Sequence, residues 1–241
     1  MDSLHVAAAD GCELHVQRSG AGRPVVMLSG GPGCVQYLAD DALVPPGMAC
    51  WFPEPRGVGR SAGGPHTMAT AVSDLEDVRR AAGVSAWTVV GHSWGSDLAV
   101  RYALDHPGSL SAVVGVAGCG VQQDSTWKAA YRAGKEQEAA VEVAHDRDVH
   151  QALMASYTAW IHEPGLLRRL ADCPVPMTFL AAGQDIRPSW PLQQLAALVP
   201  HGAFGVVAGV PHDLWATHPA VWREVVGTAV NGSDPSSRGP V

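Results

Sequence analysis

The chain has 241 residues, a length that fits one α/β domain with room for a small insertion. Hydrophobic residues make up 46% and charged residues 16%, so a sizeable core can be buried. The net charge is -7, and no clustered Lys/Arg surface is present for phosphate, which argues against a nucleic-acid partner.

The amino end, Met1-Asp2-Ser3-Leu4-His5, has no basic start and no long apolar stretch. No run approaches the ~18 apolar residues of a membrane helix. A soluble, cytoplasmic protein with no membrane partner is therefore expected. Residues 3–8 and 12–18 flank a turn at Asp10-Gly11 and predict an antiparallel hairpin. Pro24-Val25-Val26-Met27-Leu28 is a short apolar run closed by Ser29-Gly30-Gly31-Pro32-Gly33, which reads as a buried strand. Residues 48–53 predict another. From Thr67 to Ala82 the pattern is helical, with Val72, Leu75 and Val78 on one stripe and Gly83 at the close.

Trp87-Thr88-Val89-Val90 predicts the next strand, and it runs straight into Gly91-His92-Ser93-Trp94-Gly95. A helix follows through Leu104 and stops at His106-Pro107. Strands are predicted at 110–117, 175–181 and 203–208, and a last helix opens at Thr217-His218-Pro219. Strands alternating with helices imply a parallel sheet covered on both faces. The stretch from about 120 to 160 breaks the rhythm, being rich in charge and alanine. It reads as a helical cap inserted into a domain spanning 1–230. Residues 231–241 are polar and turn-rich and read as a disordered tail.

Gly91-His92-Ser93-Trp94-Gly95 matches G-x-S-x-G, in which a sharp strand-to-helix turn exposes a serine hydroxyl. The strand before it and the helix after it are what this chemistry requires. Ser93 is the predicted nucleophile. A serine needs a base, and His212 is the leading candidate. It lies in a small-residue loop, Gly209-Val210-Pro211-His212, between a strand and a helix. His162, His201 and His218 are the other late histidines. The orienting acid is expected just past a strand. Asp185 in Gly183-Gln184-Asp185-Ile186-Arg187 fits, with Asp124 as the competitor. The backbone N–H groups of Trp94 and Gly31 are the expected oxyanion donors, and Pro32 has none to give. The five cysteines form no CxxC pair and the eleven histidines no HExxH, so no metal site is expected.

Four segments in this order resemble the α/β-hydrolase superfamily, and within it the proline iminopeptidase-like branch. Ser29-Gly30-Gly31-Pro32-Gly33 resembles that branch's HGGPG loop. Glu54-Pro55-Arg56-Gly57-Val58-Gly59-Arg60-Ser61 resembles its DQRGxGRS segment. Gly91-His92-Ser93-Trp94-Gly95-Ser96 resembles its GxSWGS elbow. Gly183-Gln184-Asp185 and Val210-Pro211-His212 resemble the acid and base loops. The resemblance implies a mostly parallel eight-stranded sheet with helices on both faces and a small helical cap. It also implies a Ser-Asp-His triad, no metal and no organic cofactor. Three features depart from the branch. Ser29 stands in place of histidine, Glu54-Pro55 in place of Asp-Gln, and the cap is short. Aminopeptidases of the branch hold the substrate's ammonium group on carboxylates of a larger cap. Glu136, Glu138, Glu142, Asp146 and Asp148 are the acids available here, and a solvated face is their ordinary use.

The leading expectation is hydrolysis of a small-molecule ester or amide through an acyl-enzyme. An aminopeptidase releasing a terminal proline is the narrower alternative. A non-hydrolytic ligand-binding or tailoring protein on the same fold is the other class. Trp127, Tyr131, Trp160, Trp190 and Trp215 are candidates to line its pocket, against ordinary packing for at least half of them.

Overall fold

The computed structural model describes residues 1–138 and 141–233. Neighbouring valines along the central strands point to opposite sides, as a pleated strand requires. Val26, Val89 and Val113 pack with Val72, Leu75 and Leu98 on one face of the sheet. Val25, Val90 and Val114 pack with Trp222 and Val226 on the other. Strands buried on both faces explain the unbroken apolar runs in the sequence.

The described residues form eight strands, β1 (Asp2–Ala7), β2 (Glu13–Gly20), β3 (Arg23–Leu28), β4 (Met48–Pro53), β5 (Trp87–His92), β6 (Leu110–Val116), β7 (Met177–Ala182) and β8 (Gly202–Val207). They form one sheet in the order β1-β2-β4-β3-β5-β6-β7-β8. β2 runs antiparallel to both β1 and β4, and every other pairing is parallel. β7 starts later than the sequence pattern indicates, because Pro176 has no N–H to add to the ladder.

Helix α1 (Met68–Ala81) begins at Thr67, whose hydroxyl accepts from the Thr70 N–H. Helix α2 (Trp94–Asp105) starts directly after β5. Between β6 and β7 stand α3 (Ser125–Gly134), α4 (Arg147–Ile161) and α5 (Leu166–Ala171). Helix α6 (Trp190–Leu198) joins β7 to β8. A short helix, α7 (Leu214–Thr217), precedes the last helix, α8 (Pro219–Gly232), which opens at Pro219 where the sequence pattern puts it. Asn231 and Gly232 belong to α8, and the Ser233 hydroxyl donates to the Ala229 carbonyl at 2.7 Å. The helix thus overruns the start of the expected tail, whose residues 234–241 lie outside the described residues.

The segment after β4 shows what the Glu54-Pro55 departure does. Arg56 is buried and gives Asp74 two hydrogen bonds, at 2.9 and 2.5 Å, and reaches Asp10 at 2.6 Å. Glu54 pairs with Arg60 instead, at 2.6 Å.

Candidate active site

The turn between β5 and α2 is built around two close approaches. A Cβ at Gly91 would run into the Gly95 carbonyl, and one at Gly95 into the Leu28 carbonyl of β3. Only glycine fits at either place. Between them Ser93 takes φ 53 and ψ -125, a conformation that costs an L-residue on the order of 1–3 kcal/mol. Its N–H donates to the Val116 carbonyl at 2.8 Å, and its carbonyl accepts from the Ser96 N–H at 2.9 Å. These bonds hold the strained residue at the carboxyl end of the sheet. Trp94 opens α2, so its N–H has no earlier helical turn to bond to.

Two loops on the same edge meet the serine. Asp185 follows β7, and His212 lies between β8 and α7. Their order along the chain separates them by 27 positions, yet His212 Nδ1 lies 2.6 Å from Asp185 Oδ2. His212 Nε2 lies 3.1 Å from Ser93 Oγ. The other oxygen of Asp185 accepts from the Arg187 N–H at 2.9 Å and from Arg187 Nη1 at 3.0 Å. Burial alone would raise the Asp185 carboxyl. The His212 hydrogen bond and the charge of Arg187 outweigh it, and the carboxyl lies below its ordinary range. Asp185 is thereby held as a carboxylate facing the imidazole.

Behind these residues runs a second chain of hydrogen bonds. His92 Nε2 lies 3.0 Å from the His212 carbonyl oxygen, and His92 Nδ1 lies 2.6 Å from the Tyr37 hydroxyl. That hydroxyl also accepts from the Gly30 N–H at 2.5 Å. A carbonyl only accepts, so Nε2 carries the hydrogen and Nδ1 takes the Tyr37 proton. Burial, with His212 beside it, pushes the His92 imidazole down to about 3. An unfolded histidine binds a proton below about pH 6.5. Between those values the unfolded chain carries the extra proton, so stability rises with pH. His92 is expected to cost about 1.4 kcal/mol of stability for each pH unit below about 6. Urea unfolding of the wild type and of His92→Gln at pH 6 and pH 5 checks this. Equal slopes would show that His92 titrates in the folded protein.

The glycine loop lies directly against the serine. A Cβ at Gly30 would sit 2.5 Å from Ser93 Cβ. Since Tyr37 holds the Gly30 N–H and Pro32 has none, Gly31 (φ 57) carries the donor left in this turn. From above, the start of α4 clasps the same loop. The Asp146 N–H donates to the Gly33 carbonyl at 2.8 Å, and His150 Nδ1 lies 2.8 Å from the Pro32 carbonyl.

A family model for the alpha/beta hydrolase fold matches residues 23–183. The chain belongs to the α/β-hydrolase fold family. A proline iminopeptidase of Xylella fastidiosa (strain 9a5c) is 38% identical over 104 residues, which cover 39% of this chain and 31% of that protein. The match thus spans less than a third of that relative's length. Among solved structures, an esterase from Exiguobacterium antarcticum aligns with a TM-score of 0.74 at 19% identity, over 95% of this chain and 100% of that one. A proline iminopeptidase of Mycobacterium smegmatis aligns at 0.70 and 19% identity, over 98% and 100%. Both solved structures are similar to this α/β-hydrolase in fold.

The remaining candidates divide. In this α/β-hydrolase Asp124 is the N-cap of α3, accepting from the Trp127 N–H at 2.8 Å, and it does not meet His212. His162, His201 and His218 are exposed or cap helix ends. Trp127 stacks on Tyr131, with ring centroids 5.5 Å apart, and Arg187 lies over Tyr131 at 5.0 Å. Trp215 stacks on Tyr37 at 4.4 Å. Trp190 is half-buried at the start of α6. Trp160 is 1% exposed, packed against Tyr157 under Arg101, about two turns along α2 from Ser93. It is a core residue with no face left for a ligand. Trp160 thus belongs with the aromatics given over to ordinary packing.

Of the acids between β6 and β7, Asp146 caps α4, and Glu136, Glu142 and Asp148 are exposed. Glu138 alone turns inward, and it pairs with Arg187 at 2.5 Å. His92, His212 and Asp213 bring metal-type ligand atoms within 4.8 Å of one another. Each of the four ring nitrogens already has a hydrogen-bond partner, so that donor set suits imidazoles holding protons and not an ion. Sequence reasoning missed His92, Tyr37 and Arg187. Arg187 sat inside the quoted acid loop, and its Asp-x-Arg spacing was the available signal.

Proposed function

We propose that this α/β-hydrolase is a serine hydrolase cleaving a small-molecule ester or amide through an acyl-enzyme. The chain Ser93 Oγ, His212, Asp185, at 3.1 and 2.6 Å, carries the reading. Ser93 Oγ attacks the substrate carbonyl carbon while its proton passes to His212 Nε2. The Gly31 and Trp94 N–H groups receive the oxyanion. The carbonyl re-forms, the bond to the leaving group breaks, and His212 gives that group the proton. Water then repeats the sequence on the ester of Ser93, releasing the acid and the free hydroxyl. Asp185 fixes the Nδ1–H tautomer and stabilises the imidazolium throughout.

A cavity of ≈ 60 Å³ lies beside Trp94 and Ser29, lined by Leu28, Leu75, Leu98 and Leu153 and also by Glu54, Arg56 and Asp74, and it does not reach Ser93 or His212. Helices α3 and α4 form the proposed cap. Five cysteines stand as free thiols, which suits a reducing compartment, and the cytoplasm is the proposed location. Among the described residues no helix is long and apolar enough to cross a membrane.

The curated relative's name favours a second reading, an aminopeptidase. An ammonium group needs a carboxylate with charge to spare, and Glu138 already faces Arg187. The ester reading therefore stands first. A panel of short acyl esters, prolyl arylamide and its N-blocked analogue separates the two. Turnover of the esters, with the arylamides slow, is expected. Fast prolyl arylamide turnover that vanishes on blocking the amine would install the aminopeptidase.

A further inference from the structure

Two consecutive glycines, Gly30 and Gly31, carry the turn that the proposed reaction relies on for one oxyanion donor. Glycine has the widest backbone freedom of any residue. Left to itself, the peptide between them can rotate and turn the Gly31 N–H away from Ser93. Something outside the turn must hold it. On one side the Gly31 carbonyl accepts from the Cys34 N–H at 3.1 Å. On the other, the Gly30 N–H donates to the Tyr37 hydroxyl at 2.5 Å.

Tyr37 is itself held from two directions. Its ring stacks on Trp215, three residues past His212. Its hydroxyl donates to His92 Nδ1, and His92 Nε2–H donates to the carbonyl of His212. His92 is 1% exposed and edged by Trp222, so its ring has no room to turn. Every donor and acceptor along this path has one allowed role, which makes the path a single rigid link. One end is the glycine turn, and the other is the backbone of the residue proposed as the base.

We propose that Tyr37 and His92 are positioning residues that lock the Gly30–Gly31 turn to the His212 loop, so that the oxyanion donor and the base keep one alignment over Ser93. The link rests on the hydrolase reading above, and neither side chain touches the reacting atoms. His92 occupies the variable position before the nucleophile in G-x-S-x-G, and this gives that position a purpose here. It also accounts for the Ser29 departure. Ser29 is buried and its hydroxyl has no partner among the described residues, so the turn is held through Tyr37 and not through the residue before it.

The test uses the second-order rate at which a fluorophosphonate labels Ser93 in the full chain. That reaction needs both the base and the oxyanion donors and needs no identified substrate. Wild-type protein that takes no label at Ser93 overturns the hydrolase reading itself. Given wild-type labelling, Tyr37→Phe keeps both ring contacts and loses only the hydroxyl. It is expected to label about 10–100-fold more slowly at 25 °C, well below its melting temperature. His92→Leu is expected to fall by a similar factor. His92→Gln keeps a donor and an acceptor and is expected to stay within about threefold of wild type. A purely structural role would lower the melting temperature of these variants and leave the labelling rate unchanged, and that result overturns the proposal. If Tyr37→Phe does not fold, the comparison of His92→Gln with His92→Leu decides, and equal rates for the two overturn it.

Discussion

Ser93→Ala is expected to give a folded protein that takes no fluorophosphonate and hydrolyses esters at least about 10⁴-fold more slowly than wild type. The expectation of a folded product follows from the geometry. Alanine keeps the Cβ that already tolerates φ 53, and the backbone bonds to Val116 and Ser96 do not involve the hydroxyl. Only the nucleophile is lost. His212 keeps its bond to Asp185 and its ring stays in place. The Gly31 and Trp94 N–H groups remain too, so a small rate over background is expected to survive, as it does when preorganised donors act without a nucleophile. Intact mass spectrometry after probe treatment gives the first result, and kcat on the best ester gives the second. A labelled Ser93→Ala protein would move the nucleophile elsewhere. Unchanged tight binding of a small molecule, with neither labelling nor turnover in the wild type, would favour a non-hydrolytic protein.

The sheet and the elbow were legible because their causes are local. β5 reads as a strand from its apolar run alone, and the two glycines around Ser93 are demanded by contacts within a few residues and one neighbouring strand. Asp185 and His212 were legible for another reason. Each follows a strand on the same sheet edge, so chain order alone puts them near Ser93. The Tyr37 link was not. Tyr37 is 55 positions from His92 and lies in a segment with neither helical nor strand periodicity, so no pattern announces it. The pairing of Glu138 with Arg187 spans 49 positions and joins two loops whose approach depends on where α3 lands. That pairing is what weakens the aminopeptidase reading, and no count of acids in the sequence could reveal it. Trp160 shows the converse error. It was weighed as a pocket residue, yet within α4 it is buried against Tyr157 and under Arg101 of α2.

Asp185→Asn is expected to lower kcat by about 10⁴-fold at neutral pH while leaving substrate binding close to wild type. The carboxylate accepts the Nδ1 hydrogen of His212 and leaves Nε2 bare toward Ser93. Asparagine has one accepting oxygen, and Arg187 already offers its N–H and Nη1 to that side of the group. The amide nitrogen then faces His212 and donates to Nδ1. The imidazole answers by carrying its hydrogen on Nε2, where it donates to Ser93 and has no lone pair to take the serine's proton. Geometry is kept and the base is disabled. Asp124→Asn supplies the contrast. Asparagine caps a helix about as well as aspartate, so α3 keeps its first bond to the Trp127 N–H and activity is expected to stay within about twofold. The two variants together decide the acid. An Asp185→Asn protein within tenfold of wild type, beside a crippled Asp124→Asn, would return the role to the loop after β6.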